Sequence, residues 1–287
     1  MLIYLLKMIA CSAAFYGLYA LLFRNEKMLV FNRFYLLAAL IASCIIPFIR
    51  FTVYITGNAN PILNLVEQPI KEQYGWFDYT MTALAMTSVL GSTILLVRFI
   101  KNLLSLKRRV KNSYKSLDFK GAKIILLRKP VVPHSFLNTI FLNSDEYEGQ
   151  YIEKEVLEHE LAHVRQRHSW DVLFVEILQI FCWFNPLIYL YKRSIKINHE
   201  LLADAVVVKE LDNMRSYQHI LLQRAGAQPS PALASSFHFL ITKKRIIMLQ
   251  KKVNPAIAGL KATLGLPLLA LLFFVFSERV YGQVVQE

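Results

Sequence analysis

The chain has 287 residues, is 55% hydrophobic with mean hydropathy +0.37, and carries a formal net charge of +13. That is too apolar for an ordinary soluble domain, and the apolar residues come in blocks, so it reads as an integral membrane protein. Beside a bilayer the basic charge is accounted for by anionic headgroups and gives no argument for nucleic-acid binding. No Gly-rich phosphate loop supports nucleotide chemistry, and Cys11, Cys44 and Cys182 lie in apolar stretches without paired-ligand spacing, as packing residues do.

Four blocks, Ile3–Phe23, Phe34–Ile55, Thr80–Ile100 and Leu260–Phe276, approach the ~20 residues a bilayer core requires. The first lacks a basic leader and a small-residue cleavage site, so it is expected to stay as a helix. Of 33 Lys and Arg, 26 lie between Arg98 and Lys261 against 14 acidic residues, which places that segment in the cytoplasm. Arg24, Lys27 and Arg33 put the first connection on the same face. The Gly57–Asp78 connection has Lys71 against Glu67, Glu72 and Asp78 and falls outside. The expected plan is three transmembrane helices over 1–100, a cytoplasmic unit over 101–256, a fourth helix over 257–277, and an outer tail over 278–287 too short to fold.

Within the cytoplasmic unit, Lys101–Lys115 continues the third helix and Ala122–Arg128 reads as a β-branched strand, ended by Lys129-Pro130-Val131-Val132-Pro133. Ser135–Asn143 is a second extended run, Asn143–Gln150 is turn-rich, and a helix follows. A strand pair ahead of that helix suits a peptidase that holds an extended peptide along a sheet edge, the alternative being a hairpin that merely covers the core.

The helix carries the most informative residues, His159-Glu160-Leu161-Ala162-His163. Positions four apart share a helix face, so both imidazoles can hold one Zn²⁺ while Glu160 points at the water on the metal. Zinc lowers the pKa of such a water from ~15.7 towards ~7, and a carboxylate beside it can take the remaining proton and pass it to a leaving amine. The bland alternative is an exposed polar helix that happens to carry two histidines.

Hydrolytic zinc usually takes three protein ligands, so a third is needed. Ser169 occupies the position six residues after His163; His168 is one residue short, with no Gly to permit the turn. Glu176 lies within the apolar Leu173–Tyr191 stretch, about 20 Å along a continued helix. Glu200, in Asn198-His199-Glu200-Leu201-Leu202-Ala203-Asp204, is the chosen ligand, with Asp204 one turn later as the acceptor that fixes an imidazole tautomer. Residues 172–191 then cannot span, because Glu200 must return to the face of His159. Glu176, Gln179 and Asn185-Pro186 interrupt this stretch, and Lys192, Arg193 and Lys196 follow it, in agreement. Trp170, Trp183 and Tyr189 are candidate interface anchors or simple core aromatics. His134, His168 and His199 are further candidates near the site, each more often structural than catalytic.

These motifs resemble the membrane metallopeptidases of the BlaR/MecR antibiotic-sensor type. The likeness covers Phe31-Asn32-Arg33-Phe34-Tyr35-Leu36-Leu37, Val132-Pro133-His134-Ser135-Phe136, and His159 through His168. It continues through Trp183-Phe184-Asn185-Pro186, Glu200 through Asp204, and Lys244-Arg245-Ile246-Ile247-Met248-Leu249. The resemblance implies an α-helical membrane protein with four transmembrane helices and an α+β, gluzincin-like zinc peptidase domain facing the cytoplasm of a bacterial-type inner membrane. It implies His159, His163 and Glu200 as ligands, Glu160 as base, and a protein substrate of the DNA-binding repressor kind. No SxxK serine motif of a penicillin-binding sensor occurs. The leading expectation is a zinc endopeptidase acting in a regulatory circuit. The alternatives are a non-proteolytic transducer or scaffold with a structural zinc site, and a protease for damaged membrane proteins.

Overall fold

A mostly apolar run, interrupted by Lys7 and Ser12, makes Leu2–Leu18 a helix (α1) that widens into a π-helical turn at Tyr19–Phe23. The Asn32 side-chain amide donates to the Phe23 carbonyl at 3.2 Å, satisfying a group the widened turn leaves behind. The computed structural model describes residues 2–55, 76–227, 232–252 and 254–283. The Gly57–Asp78 connection falls largely outside them.

Helix α2 is Leu29–Ile45, followed by a 3₁₀ turn, Ile46–Phe48, and strand β1, Arg50–Ile55. The second apolar block was expected to be helical from Phe34 to Ile55. It starts earlier and ends sooner, because Pro47 lacks the N–H that would continue the ladder. Helix α3 runs unbroken from Trp76 to Lys111, through its apolar stretch into a basic end. After it come β2, Lys115–Phe119, β3, Ala122–Leu127, β4, His134–Phe136, and β5, Thr139–Asn143. The helices α4, Ser144–Glu148, α5, Lys154–Arg165, α6, His168–Phe181, and α7, Leu187–Leu211, come next. Helices α8, Met214–Ala227, α9, Ala232–Gln250, and α10, Pro255–Phe276, precede strand β6, Glu278–Gln283. Among the described residues four helices are long and apolar enough to cross a membrane: Ile3–Phe23, Leu29–Phe48, Thr82–Lys111 and Pro255–Phe276.

The expected strand pair is a four-stranded sheet of order β2-β3-β5-β4. Strand β2 joins β3 through a two-residue turn, Lys120 (φ 47°) and Gly121 (φ 86°), the left-handed pair that matches strand twist. The parallel β3–β5 pair sets Ile124 opposite Ile140 and Leu126 opposite Leu142. These four side chains are buried against Leu161 and Val164 of α5, which fixes the helix on the sheet. Strand β4 lies at the sheet edge, antiparallel to β5.

Helices α6 and α7 form a hairpin whose α7 arm packs on both α1 and α2. Val175, Ile188, Tyr191 and Ile195 pack with Cys11, Phe15, Tyr35 and Leu36 in one cluster. At its tip the Asn185 amide donates to Ser12 Oγ at 3.1 Å. With 14 residues α6 is about 21 Å long, short of the ~30 Å of a bilayer core. Lys192 Nζ meets Glu176 Oε1 at 2.6 Å and Gln179 Oε1 at 2.9 Å, so the chain comes back along the path it entered. Trp183 packs on α3, donating Nε1–H to the Ser88 carbonyl at 3.2 Å, while Trp170 and Tyr189 are exposed. A Cβ at Gly91 would lie 2.6 Å from the Trp183 ring, so glycine is what lets α3 approach.

The tail expected to be too short to fold contributes β6, which pairs in parallel with β1 from Arg50↔Glu278 to Ile55↔Gln283. Backbone pairing to a distant strand supplies the order that so short a segment lacks alone. The turn after α1 clamps the opposite end: Lys27 Nζ reaches the Leu249 and Lys251 carbonyls, each at 3.1 Å, and Glu26 pairs with Lys251 and Lys261.

Candidate metal centre

Helix α5 is seated by its apolar face on the sheet, which turns His159 and His163 the other way, toward α7 and Glu200. His163 Nε2 is 3.1 Å from His159 Nε2 and 3.5 Å from Glu200 Oε1; His159 Nε2 is 3.4 Å from Glu200 Oε2. Donors on a tetrahedral centre with ~2.0–2.1 Å bonds stand about 3.3 Å apart, so the three fit one small cation. His159, His163 and Glu200 form the one such His/Cys/Asp/Glu group among the described residues. Glu176, occupied by Lys192, stays outside it.

The first imidazole is tightly backed. His159 Nδ1 lies 2.8 Å from Tyr217 Oη and 3.3 Å from Asp204 Oδ1. Tyr217 donates to Asp204 Oδ1 at 2.6 Å, and Arg245 grips Asp204 through Nε at 2.8 Å and Nη2 at 2.5 Å. The other guanidinium nitrogen reaches Glu200 Oε2 at 3.1 Å. Asp204 thus sits beside the ring, but Tyr217 is the nearer contact. Tyr217 and Arg245 were not singled out as site residues. Only the Lys244-Arg245 run carried a signal; Tyr217 carried none.

Electrostatics follow from burial. Desolvation alone would lower the His159 pKa, but hydrogen bonds to Asp204 and Glu200 raise it to about 9. Burial and the neighbouring His159 charge push His163 down to about 3. Although buried, Glu200 is held far below the usual carboxylate range by His159 and Arg245, and Asp204 is lowered by Arg245 and His159. Glu160 shifts the other way: burial raises it, partly opposed by the His159 charge and a hydrogen bond from Ser135.

An open cleft of about 510 Å³ exposes the cluster, lined by His134 and Ser135 of β4, Glu160, Lys196, Tyr217 and Arg245 among others. His134 stacks on Phe141 with its Nδ1 2.9 Å from the Val132 carbonyl. The turn is made without glycine, by Arg167 at φ 55°, which starts α6 at His168. His168 therefore does reach His163, though on the Nδ1 side, away from Glu200. His199 stacks on His168 and contacts Asp171.

Fold and cluster together define a mostly helical protein with apolar helices and an α+β unit carrying a His-His-Glu group. The chain belongs to the BlaR1 peptidase M56 family, whose profile matches residues 48–249. It is similar to the regulatory protein BlaR1 of Staphylococcus aureus, 26% identical over 297 aligned positions covering 85% of this chain and 50% of the relative. It spans about half the length of that relative.

Proposed function

We propose that the protein is a membrane-embedded zinc endopeptidase that cuts a cytoplasmic or membrane-proximal protein as one step of a regulatory circuit, a DNA-binding repressor being the kind of substrate the family suggests. The observation that carries this is the donor triangle of His159, His163 and Glu200, with edges of 3.1 to 3.5 Å, opening on the same cleft as Glu160. Residues 1–100 then supply three membrane helices, 101–256 the cytoplasmic unit with the non-spanning 172–191 hairpin, 257–277 the fourth helix, and 278–287 the outer segment.

In this reading His159, His163 and Glu200 hold the zinc, which when bound acidifies a water and polarises a carbonyl. Glu160 does the proton work: its carboxylate, raised by burial, accepts the proton of the attacking water and returns it to the leaving amine. Ser135 steadies Glu160 by a hydrogen bond. Asp204 and Tyr217 keep the Nδ1 hydrogen of His159 engaged so that Nε2 is free to ligate. Strand β4, at the sheet edge and on the cleft wall, offers backbone groups to an extended substrate beside Glu160. A structural zinc site would fill its fourth position with protein. Among the described residues no fourth ligand joins the group, which favours hydrolysis over a purely structural role.

The test compares cells expressing wild type and Glu160→Gln by quantitative mapping of protein N-termini. A neo-N-terminus that needs Glu160 is expected. Identical N-termini in both, with signalling intact, would favour the transducer.

A further inference from the structure

His163 makes a second contact on the far side of its ring. With Nε2 turned toward His159 and Glu200, its Nδ1 lies 2.8 Å from His168 Nδ1. Two ring nitrogens this close share one hydrogen. If His163 Nε2 is to be free for a metal, that hydrogen sits on His163 Nδ1 and His168 accepts it. The His168 hydrogen is then on Nε2, which lies 3.1 Å from Gln166 Oε1, an acceptor. One tautomer assignment satisfies both contacts.

Most metal-binding histidines lean on a carboxylate, a carbonyl or water. Here the support is another imidazole, and what keeps that imidazole in place becomes decisive. The His168 ring, 3% exposed, stacks on His199 with centroids 4.0 Å apart and planes 5° from parallel. His199 donates through Nε2 to Asp171 Oδ2 at 2.8 Å. Asp171 is held in turn by Arg33 of α2, through Nε at 2.6 Å and Nη2 at 3.1 Å; the same Nη2 donates to the Gln166 carbonyl at 2.8 Å. One guanidinium therefore grips both ends of the left-handed turn at Arg167 that carries His168.

We propose that Arg33, on the apolar helix α2, is a positioning residue for the metal ligand His163, acting through Gln166, Asp171, His199 and His168. The inference rests on the metal-site reading above. It makes the hold on one ligand depend on where α2 sits against the α6–α7 hairpin.

The experiment uses the full chain in detergent with Co²⁺ as the probe, read by its visible d–d absorption and by chelator competition for affinity. His168→Ala is expected to weaken binding roughly 10–100-fold, and Arg33→Gln roughly 2–30-fold with an altered spectrum. Arg33→Lys should fall between Arg33→Gln and wild type, since an ammonium keeps the charge but not the fork. In a His168→Ala background Arg33→Gln should add nothing, because the path is already cut. Arg165→Ala, which breaks only the exposed contact with Glu210 at 3.3 Å, should leave affinity and spectrum unchanged. If Arg33→Gln does not fold, Arg33→Lys and Asp171→Asn carry the same cycle. Wild type without metal binding would overturn the metal-site reading itself. Wild type that binds, alongside Arg33 and His168 effects that simply multiply or an Arg33 variant with unaltered affinity and spectrum, would overturn this proposal alone.

Discussion

Replacing Asp204 with Asn removes one negative charge from a fully buried position and should act on the metal in two opposed ways. Asp204 accepts from Tyr217 and twice from Arg245, and it lies 3.3 Å from His159 Nδ1. Loss of such support for a ligand costs about 10–100-fold in metal affinity. Yet the same carboxylate helps raise the His159 pKa to about 9, and a protonated His159 must shed its proton before it ligates. At pH 7 that requirement costs wild type roughly a hundredfold in apparent affinity, from the two-unit gap. The Asn variant, with a lower His159 pKa, escapes part of this. Apparent wild-type affinity should therefore climb about tenfold per pH unit up to about 9 and then level. The wild-type advantage over Asp204→Asn should be small near pH 6.5 and full above pH 9. Chelator competition from pH 6.5 to 9.5, with folded fraction followed by circular dichroism, measures both curves. A ratio that stays flat with pH, or widens toward acid, would refute the reasoning.

His159→Ala and His163→Ala should abolish zinc retention on purification and Glu200→Ala should weaken it strongly, whereas Glu176→Ala should retain it, all by elemental analysis. Glu160→Gln should keep zinc and fold while losing hydrolysis, since an amide cannot accept the water's proton. Gly91→Ala places a Cβ 2.6 Å from Trp183; overpacking of about 1–3 kcal/mol against a helix-propensity gain of about 1 kcal/mol predicts a modest fall in thermal midpoint. In a cysteine-free background, cysteines at Ser116, Ser216 and Ser236 should be shielded from an impermeant reagent in intact cells, and those at Asn58 and Gln283 should react. Labelling at Ser216 with protection at Ser116 would mean that residues 172–191 cross the membrane.

What could be read from the chain was what repeats along it. The spacing of His159 and His163 encodes a shared helix face, and the polar breaks at Glu176, Gln179 and Asn185-Pro186 encode a hairpin, because both follow from helix geometry and chain direction. Tyr217 was illegible, and Arg245 showed only as part of a family-like run with no role attached, because their work is contact across α7, α8 and α9, which no local pattern records. Strand β2, Lys-Ser-Leu-Asp-Phe, is mostly polar, and its turn uses Lys120-Gly121 rather than the more telling Asn-Gly. Arg167 shows the limit of residue preference: an arginine takes the left-handed conformation that a glycine rule would have denied it, because Arg33 and the stacked imidazoles hold the turn from outside. The end of α2 was misplaced because Phe51–Ile55 is largely apolar like the helix before it; Pro47 marks the break, and the partner β6 makes the stretch beyond it a strand.

That partner strand has a mechanical meaning. Strand β1 leaves the end of α2, and β6 leaves the end of α10, and the two run in the same direction. A tug on the far end of β6 is resisted at the near end of β1, so the six aligned residue pairs are loaded in shear together rather than unzipped one at a time. Force applied there reaches α2 before the strands part. The pull is borne by α10 through the backbone and, across the paired strands, by the helix that bears Arg33, so the ribbon works as a tether, not a loose end.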